Sequence, residues 1–145
     1  MSDYDTDFYQ WTQAQAAALR AKDWAALDLE HLAEEIASLG NEQRHAVRSQ
    51  LRVLPWHVLK WAYQPDHRTT SWRTSILNAR AEIADRLADY PSLRPLVPAL
   101  LASAYPRARR LAAAETGLPL ATFPETCPWP VEQVLDEDFW PEGQP

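Results

Sequence analysis

Apolar residues recur every three or four positions along most of the chain, and the alternation of a half-buried strand is nearly absent, so the pattern predicts an all-α protein. A first helix is predicted over Thr6–Ala21, capped by Thr6 or Asp5, with Phe8, Trp11, Ala14, Ala18 and Leu19 turned inward. A second is predicted from a cap at Asp23 to Leu39, where Gly40 supplies a left-handed stop; its inward stripe is Ala25, Leu29, Leu32, Ile36 and Leu39. Asn41 caps a third, which runs to Tyr63 before Pro65, carries Val47, Leu51, Leu54, Val58 and Trp61 inward, and bends at Pro55. With so short a link, the second and third helices are expected to fold back as an antiparallel hairpin about Gly40.

The fourth helix opens at Thr69, Thr70 or Ser71 and carries an almost regular seam of Trp72, Ile76, Ala79, Ile83, Leu87 and Tyr90. The fifth carries Val97, Leu100, Leu101, Ala104, Ala108 and Leu111; Pro106 is expected to kink or split it, and Gly117 closes it. From Leu118 onward six prolines break the pattern, leaving one short helix around Val131–Asp138. The same stretch holds Phe123, Trp129, Leu135, Phe139 and Trp140, more large apolar groups than a free tail carries, so the arm is expected to be strapped onto the helices. The architecture read from the pattern is a four- to five-helix bundle over residues 1–117, with residues 118–145 as a proline-rich arm packed on it and belonging to the same domain.

Composition narrows this picture. A chain of 145 residues, 46% hydrophobic and 23% charged, has room for one domain with a proper core. No apolar run approaches a membrane span and no leader pattern opens the chain, so a cytoplasmic protein without a membrane partner is expected. A net charge of −6 argues against nucleic acid as a partner. The single cysteine, Cys127, excludes an internal disulfide and a cysteine metal cage, and no histidine lies near it in sequence to activate it.

The chemistry-bearing residues fall into a few groups. Leu51–Arg73 packs three tryptophans and two histidines into one corner between helices. His57 lies on the edge of its helix stripe, and the hairpin geometry would set it beside Asp23, an arrangement that tunes an imidazole for proton transfer. Lys60, His67, Arg68, Ser71 and Arg73 surround the start of the fourth helix, whose first N–H groups lack helical partners, and so form a candidate small-anion site. The bland alternative is that a hydroxyl caps that helix while the cations answer nearby acids. Asp28, His31 and Glu35, at i, i+3 and i+7, share one helical sector and could hold a divalent metal, but a matching set on a partner helix is poorly formed, and no metal or other cofactor is expected. Arg44, Arg48 and Arg52 form a ridge that either pairs across the hairpin with Glu34 and Glu35 or binds phosphate. Arg107, Arg109 and Arg110 read as surface cations near a helix end.

Several signatures recur together. They are Tyr4-Asp5-Thr6-Asp7-Phe8-Tyr9-Gln10-Trp11, Leu32-Ala33-Glu34-Glu35-Ile36 with Leu39-Gly40, His57-Val58-Leu59-Lys60-Trp61, and Arg68 through Trp72. Tyr90-Pro91-Ser92-Leu93, Phe123-Pro124-Glu125, Cys127-Pro128 and Val134 through Phe139 follow. With these the chain resembles, over nearly its whole length, a bacterial family known as domain of unknown function 29. The resemblance implies a helical bundle in a prokaryotic cell interior and carries no activity or catalytic residue; Pro55 stands where the family pattern leads one to expect leucine. Three functions are therefore weighed. The first is a non-enzymatic interaction module that self-associates, a dimer being favoured, because seven tryptophans and several broad stripes exceed what a small monomer covers. The second is a small enzyme or binder acting on an anion at the Lys60–Arg73 corner, with His57 moving protons. The third is a divalent-metal bundle.

Overall fold

The computed structural model describes residues 2–143. Among these the chain is all-α, a helical bundle without strands. The helices are α1 (Asp3–Thr6), α2 (Phe8–Ala21), α3 (Leu29–Tyr63), α4 (Thr70–Asp89), α5 (Val97–Thr116) and α6 (Val131–Leu135), with short 3₁₀ turns between several of them. The fold divides into two compact units, Met1–Glu42 and Gln43–Pro145, and α3 contributes to both.

The principal departure from the sequence pattern is α3. Gly40 does not stop it: one helix of 35 residues runs from Leu29 to Tyr63, and the hairpin does not exist. Glycine ends a helix when it turns left-handed, and only Gly117 (φ 73°) does so here, closing α5 as predicted. Inside a helix glycine costs only about 0.5–1 kcal/mol relative to alanine, which the helix-compatible residues on both sides of Gly40 outweigh. Pro55 likewise lies within α3, buried among Leu51, Leu54, Val58 and Leu59, and Pro106 lies within an unbroken α5.

In the first unit α2 starts two residues later than the pattern suggested, at Phe8. Asp7, not Thr6 or Asp5, is its cap, its side chain accepting from the Gln10 N–H at 3.0 Å. The helix ends on Lys22, a left-handed residue (φ 56°) with no glycine to announce it. A 3₁₀ turn at Trp24–Ala26 follows, so Asp23 precedes a turn rather than a long helix, and its side chain makes no capping hydrogen bond. The Gln15 amide bridges the loop, donating to the Ala26 carbonyl (3.2 Å) and accepting from the Asp28 N–H (2.7 Å).

In the second unit α4 opens as predicted, with the Thr69 hydroxyl oxygen accepting from the Trp72 N–H at 3.1 Å. Its buried face is Ile76, Ala79, Arg80, Ile83 and Leu87; Trp72 is half-buried, and Tyr90, expected inward, is an exposed C-cap. Ile76, Ala79, Ile83 and Leu87 meet Val47, Leu51, Leu54, Val58 and Leu59 of α3 and Val97, Leu101, Ala104 and Tyr105 of α5 in one core. The arm after Gly117 completes it: Phe123, Trp129 and Val134 are buried, and Leu135, Phe139 and Trp140 pack against the same cluster.

Candidate functional site

Four side chains of the second unit, Arg68, Arg80, Tyr105 and Arg109, hold the arm by its backbone. A proline-rich segment has carbonyls with no sheet or helix partner, and these need donors once buried. The Tyr105 hydroxyl donates to the Pro124 carbonyl (2.6 Å) and Arg109 Nε to that of Phe123 (3.0 Å). Arg80 Nε donates to the Val134 carbonyl (2.9 Å) and its Nη2 to that of Phe139 (2.8 Å), with the guanidinium 5.3 Å from the centre of the Trp140 ring. Arg80 is only 2% exposed, and its Nη1 is buried without a partner. Burial lowers its pKa, Asp136 and Glu137 acting in the opposite direction. The sequence pattern missed Arg80; its one signal was position, since it follows Ile76 and Ala79 and precedes Ile83 along the buried face of α4.

The residues singled out at the Lys60–Arg73 corner have partners within the molecule. Lys60 is 3% exposed: its ammonium pairs with Glu115 and lies 4.8 Å from the Trp72 ring centre and 5.4 Å from that of Trp56. Arg68 donates from Nε to the Trp61 carbonyl (2.9 Å) and from Nη2 to the carbonyls of Pro141 (3.1 Å) and Glu142 (2.8 Å), while stacking on Trp61 at 4.8 Å. Arg73 lies over Trp140 at 5.1 Å. His67 and Ser71 are exposed. Two of these cations are thus spent, Lys60 on an ion pair and Arg68 on the arm.

His57 is buried, its Nδ1 2.9 Å from the Val53 carbonyl one turn back and its ring 4.5 Å from that of Trp56. Burial lowers its pKa; the contact with Val53 and the charge of Glu115 oppose that, and Lys60 adds to it. Its pairing with Asp23 rested on the fold-back at Gly40, which the continuous α3 removes. Among the described residues its one hydrogen-bond partner is the Val53 carbonyl. Burial pushes the Cys127 thiol up, and its Sγ approaches the Trp129 carbonyl at 3.5 Å.

Asp28, His31 and Glu35 are brought to one side of the first unit, each engaged by aromatic or helical partners. Asp28 Oδ1 accepts from the His31 N–H at the start of α3 (3.3 Å), and its Oδ2 meets His31 Nδ1 (2.7 Å) and Trp11 Nε1 (3.1 Å). The Tyr4 ring stacks on His31 at 3.8 Å and its hydroxyl donates to Glu35 Oε1 at 2.6 Å, a bond that pushes the phenol up to about 12. The hydrogen bond to Asp28 raises the His31 pKa and reciprocally lowers that of Asp28. No group of three metal-ligating side chains occurs among the described residues.

The same helix segment carries the surface that the missing hairpin leaves uncovered. Leu29, Ile36 and Leu39 are 69%, 67% and 63% exposed, with Leu32 half-buried. At about 100° per residue these four, with Ala33 and Gly40 on one flank, occupy a sector roughly 120° wide, next to the one that carries His31 and Glu35. Their spacing i, i+3, i+7, i+10 is that of a coiled-coil seam. A Cβ built on Gly40 would meet nothing within 4 Å. Trp24 and Tyr9 of the first unit are also exposed.

No helix among the described residues is long and apolar enough to cross a membrane. A family model described as "Domain of unknown function DUF29" matches residues 4–140. No curated protein and no solved structure matches the chain.

Proposed function

The chain belongs to the DUF29 family, and on that premise we propose that it is a non-enzymatic interaction module that self-associates as a dimer through the first turns of α3. The observation that carries this reading is the seam of Leu29, Leu32, Ile36 and Leu39, predicted to be buried and instead largely exposed. Its occupant is a second copy of the same seam: the spacing is the one two helices use to interdigitate, and Ala33 and Gly40 let backbones approach closely. Covering the exposed parts of Leu29, Ile36 and Leu39 is worth about 1–2 kcal/mol each, or roughly 6–12 kcal/mol over two copies. Set against the translational and rotational cost of association, that supports a reversible dimer and not a permanent one. Other candidate chemistry in the first unit is already engaged, Glu35 by Tyr4 and His31 by Asp28.

The test is mass by light scattering across a concentration series, for the native chain and for Ile36→Glu. The native chain is expected to move from monomer to dimer with concentration, and Ile36→Glu to remain monomeric with an unchanged helical spectrum. A native chain that stays monomeric at every concentration, or a dimer untouched by Ile36→Glu, would refute the proposal.

A further inference from the structure

A concavity of about 470 Å³ opens between α3 and α5 in the second unit. Its α3 wall carries His45, Arg48 and Arg52 at i, i+3 and i+7; its α5 wall carries Ser103, Arg107 and Arg110 at i, i+4 and i+7. Two cationic ridges that look like separate surface features in sequence thus face one space. No acidic side chain lines it. The ion pairs found are Asp28–His31 and Lys60–Glu115, so among the described residues none of these four arginines has a carboxylate partner. Arg68, Arg80, Arg86 and Arg109 each have an oxygen acceptor within the chain. Neighbouring arginines on one helix face stand about 5–6 Å apart and repel. Four of them around one hollow, in a chain of net charge −6, call for an anion from outside.

We propose that this hollow binds a condensed phosphate, the pyrophosphate or triphosphate group of a small molecule. Guanidinium forks match phosphate oxygens two at a time, and two opposed pairs suit a ligand with several linked phosphates better than a single tetrahedral ion. The Ser103 hydroxyl supplies a further donor at the α5 wall. No aromatic side chain lines the hollow to stack a base, so the phosphate chain is the part recognised, whether free or borne by a nucleotide. This site is independent of the α3 seam.

Calorimetric titration with sodium tripolyphosphate, pyrophosphate, orthophosphate and adenosine triphosphate tests it. Saturable 1:1 binding is expected, with tripolyphosphate and the nucleotide comparable, pyrophosphate weaker and orthophosphate weakest. Arg48→Ala with Arg107→Ala, which removes one fork from each wall at exposed positions, is expected to weaken tripolyphosphate binding by at least about a hundredfold, tenfold per fork, at an unchanged helical spectrum. Arg48→Lys with Arg107→Lys, which keeps the charge and loses the forks, is expected to weaken it by at least about tenfold. Absence of saturable binding at physiological salt would overturn the proposal. So would binding that survives the double alanine variant, equal binding by the lysine variant, or tighter capture of a single-stranded oligonucleotide than of tripolyphosphate.

Discussion

Replacing Arg80 by alanine is the sharpest test of how the arm is held. In the native chain the guanidinium supplies hydrogen bonds of 2.9 and 2.8 Å to the Val134 and Phe139 carbonyls and supports the Trp140 ring. Arg80→Ala leaves two carbonyls without donors, at about 1–3 kcal/mol each, and opens a void where the alkyl stem packed. Against this stands the relief of a buried charge whose Nη1 has no partner. The balance is a loss of about 3–5 kcal/mol, a shift in melting midpoint of roughly 10–15 °C for a domain of this size. Arg80→Met restores the volume but not the donors and should recover about 1–2 kcal/mol of the loss. Guanidinium chloride unfolding followed by circular dichroism gives the energies, and limited proteolysis beyond Gly117 reports release of the arm. A loss below about 1 kcal/mol in Arg80→Ala, with the arm still protected, would refute the reasoning.

Lys60→Met should be neutral or stabilising, because it replaces a buried ammonium by an apolar side chain between Trp56 and Trp72 and leaves the exposed Glu115 to water, whereas Glu115→Ala leaves the buried Lys60 ammonium without its carboxylate and should destabilise by about 1–3 kcal/mol; urea titration of both variants measures the contrast. Because burial lowers the folded pKa of His57, its neutral form contributes stability that is present above the unfolded value of 6.5 and lost as pH falls below it. His57→Gln should therefore flatten that part of the stability profile between pH 7.5 and 5, which thermal melts across the range would show. Gly40→Ala, in a helix interior with open space at its Cβ, should raise the melting midpoint of dilute protein by the equivalent of about 0.5–1 kcal/mol, while Gly117→Ala at φ 73° should lower it by a similar amount; equal effects of one sign would contradict the two backbone conformations.

The all-α fold class, the α4 opening at Thr69, the left-handed Gly117 and the strapped arm were all legible in sequence, because each rests on local periodicity, a cap or composition. Gly40 misled for a physical reason. A glycine has the same letter whether it ends a helix or is tolerated within one, and only the surrounding packing decides between them. Lys22 shows the converse, a left-handed terminus with no glycine to mark it. The candidate residues suffered accordingly. Arg68 and Arg73 lie over the paired rings of Trp61 and Trp140, and Arg68 also meets carbonyls of Pro141 and Glu142, none of which a spacing rule connects to it. Arg48 and Arg107 share a hollow for the same reason: a contact between distant helices is invisible to a pattern read along one of them.

The arm's burial orders the assembly of the second unit in time. Phe123, Trp129 and Val134 leave the ribosome after α3, α4 and α5, yet they complete the same core. Until they emerge, the nascent helices present an unsealed apolar face with the Arg80 guanidinium in its midst. Any holdase that shields this protein during synthesis would therefore bind where the last segment comes to rest, and would be displaced by that segment once it has left the ribosome.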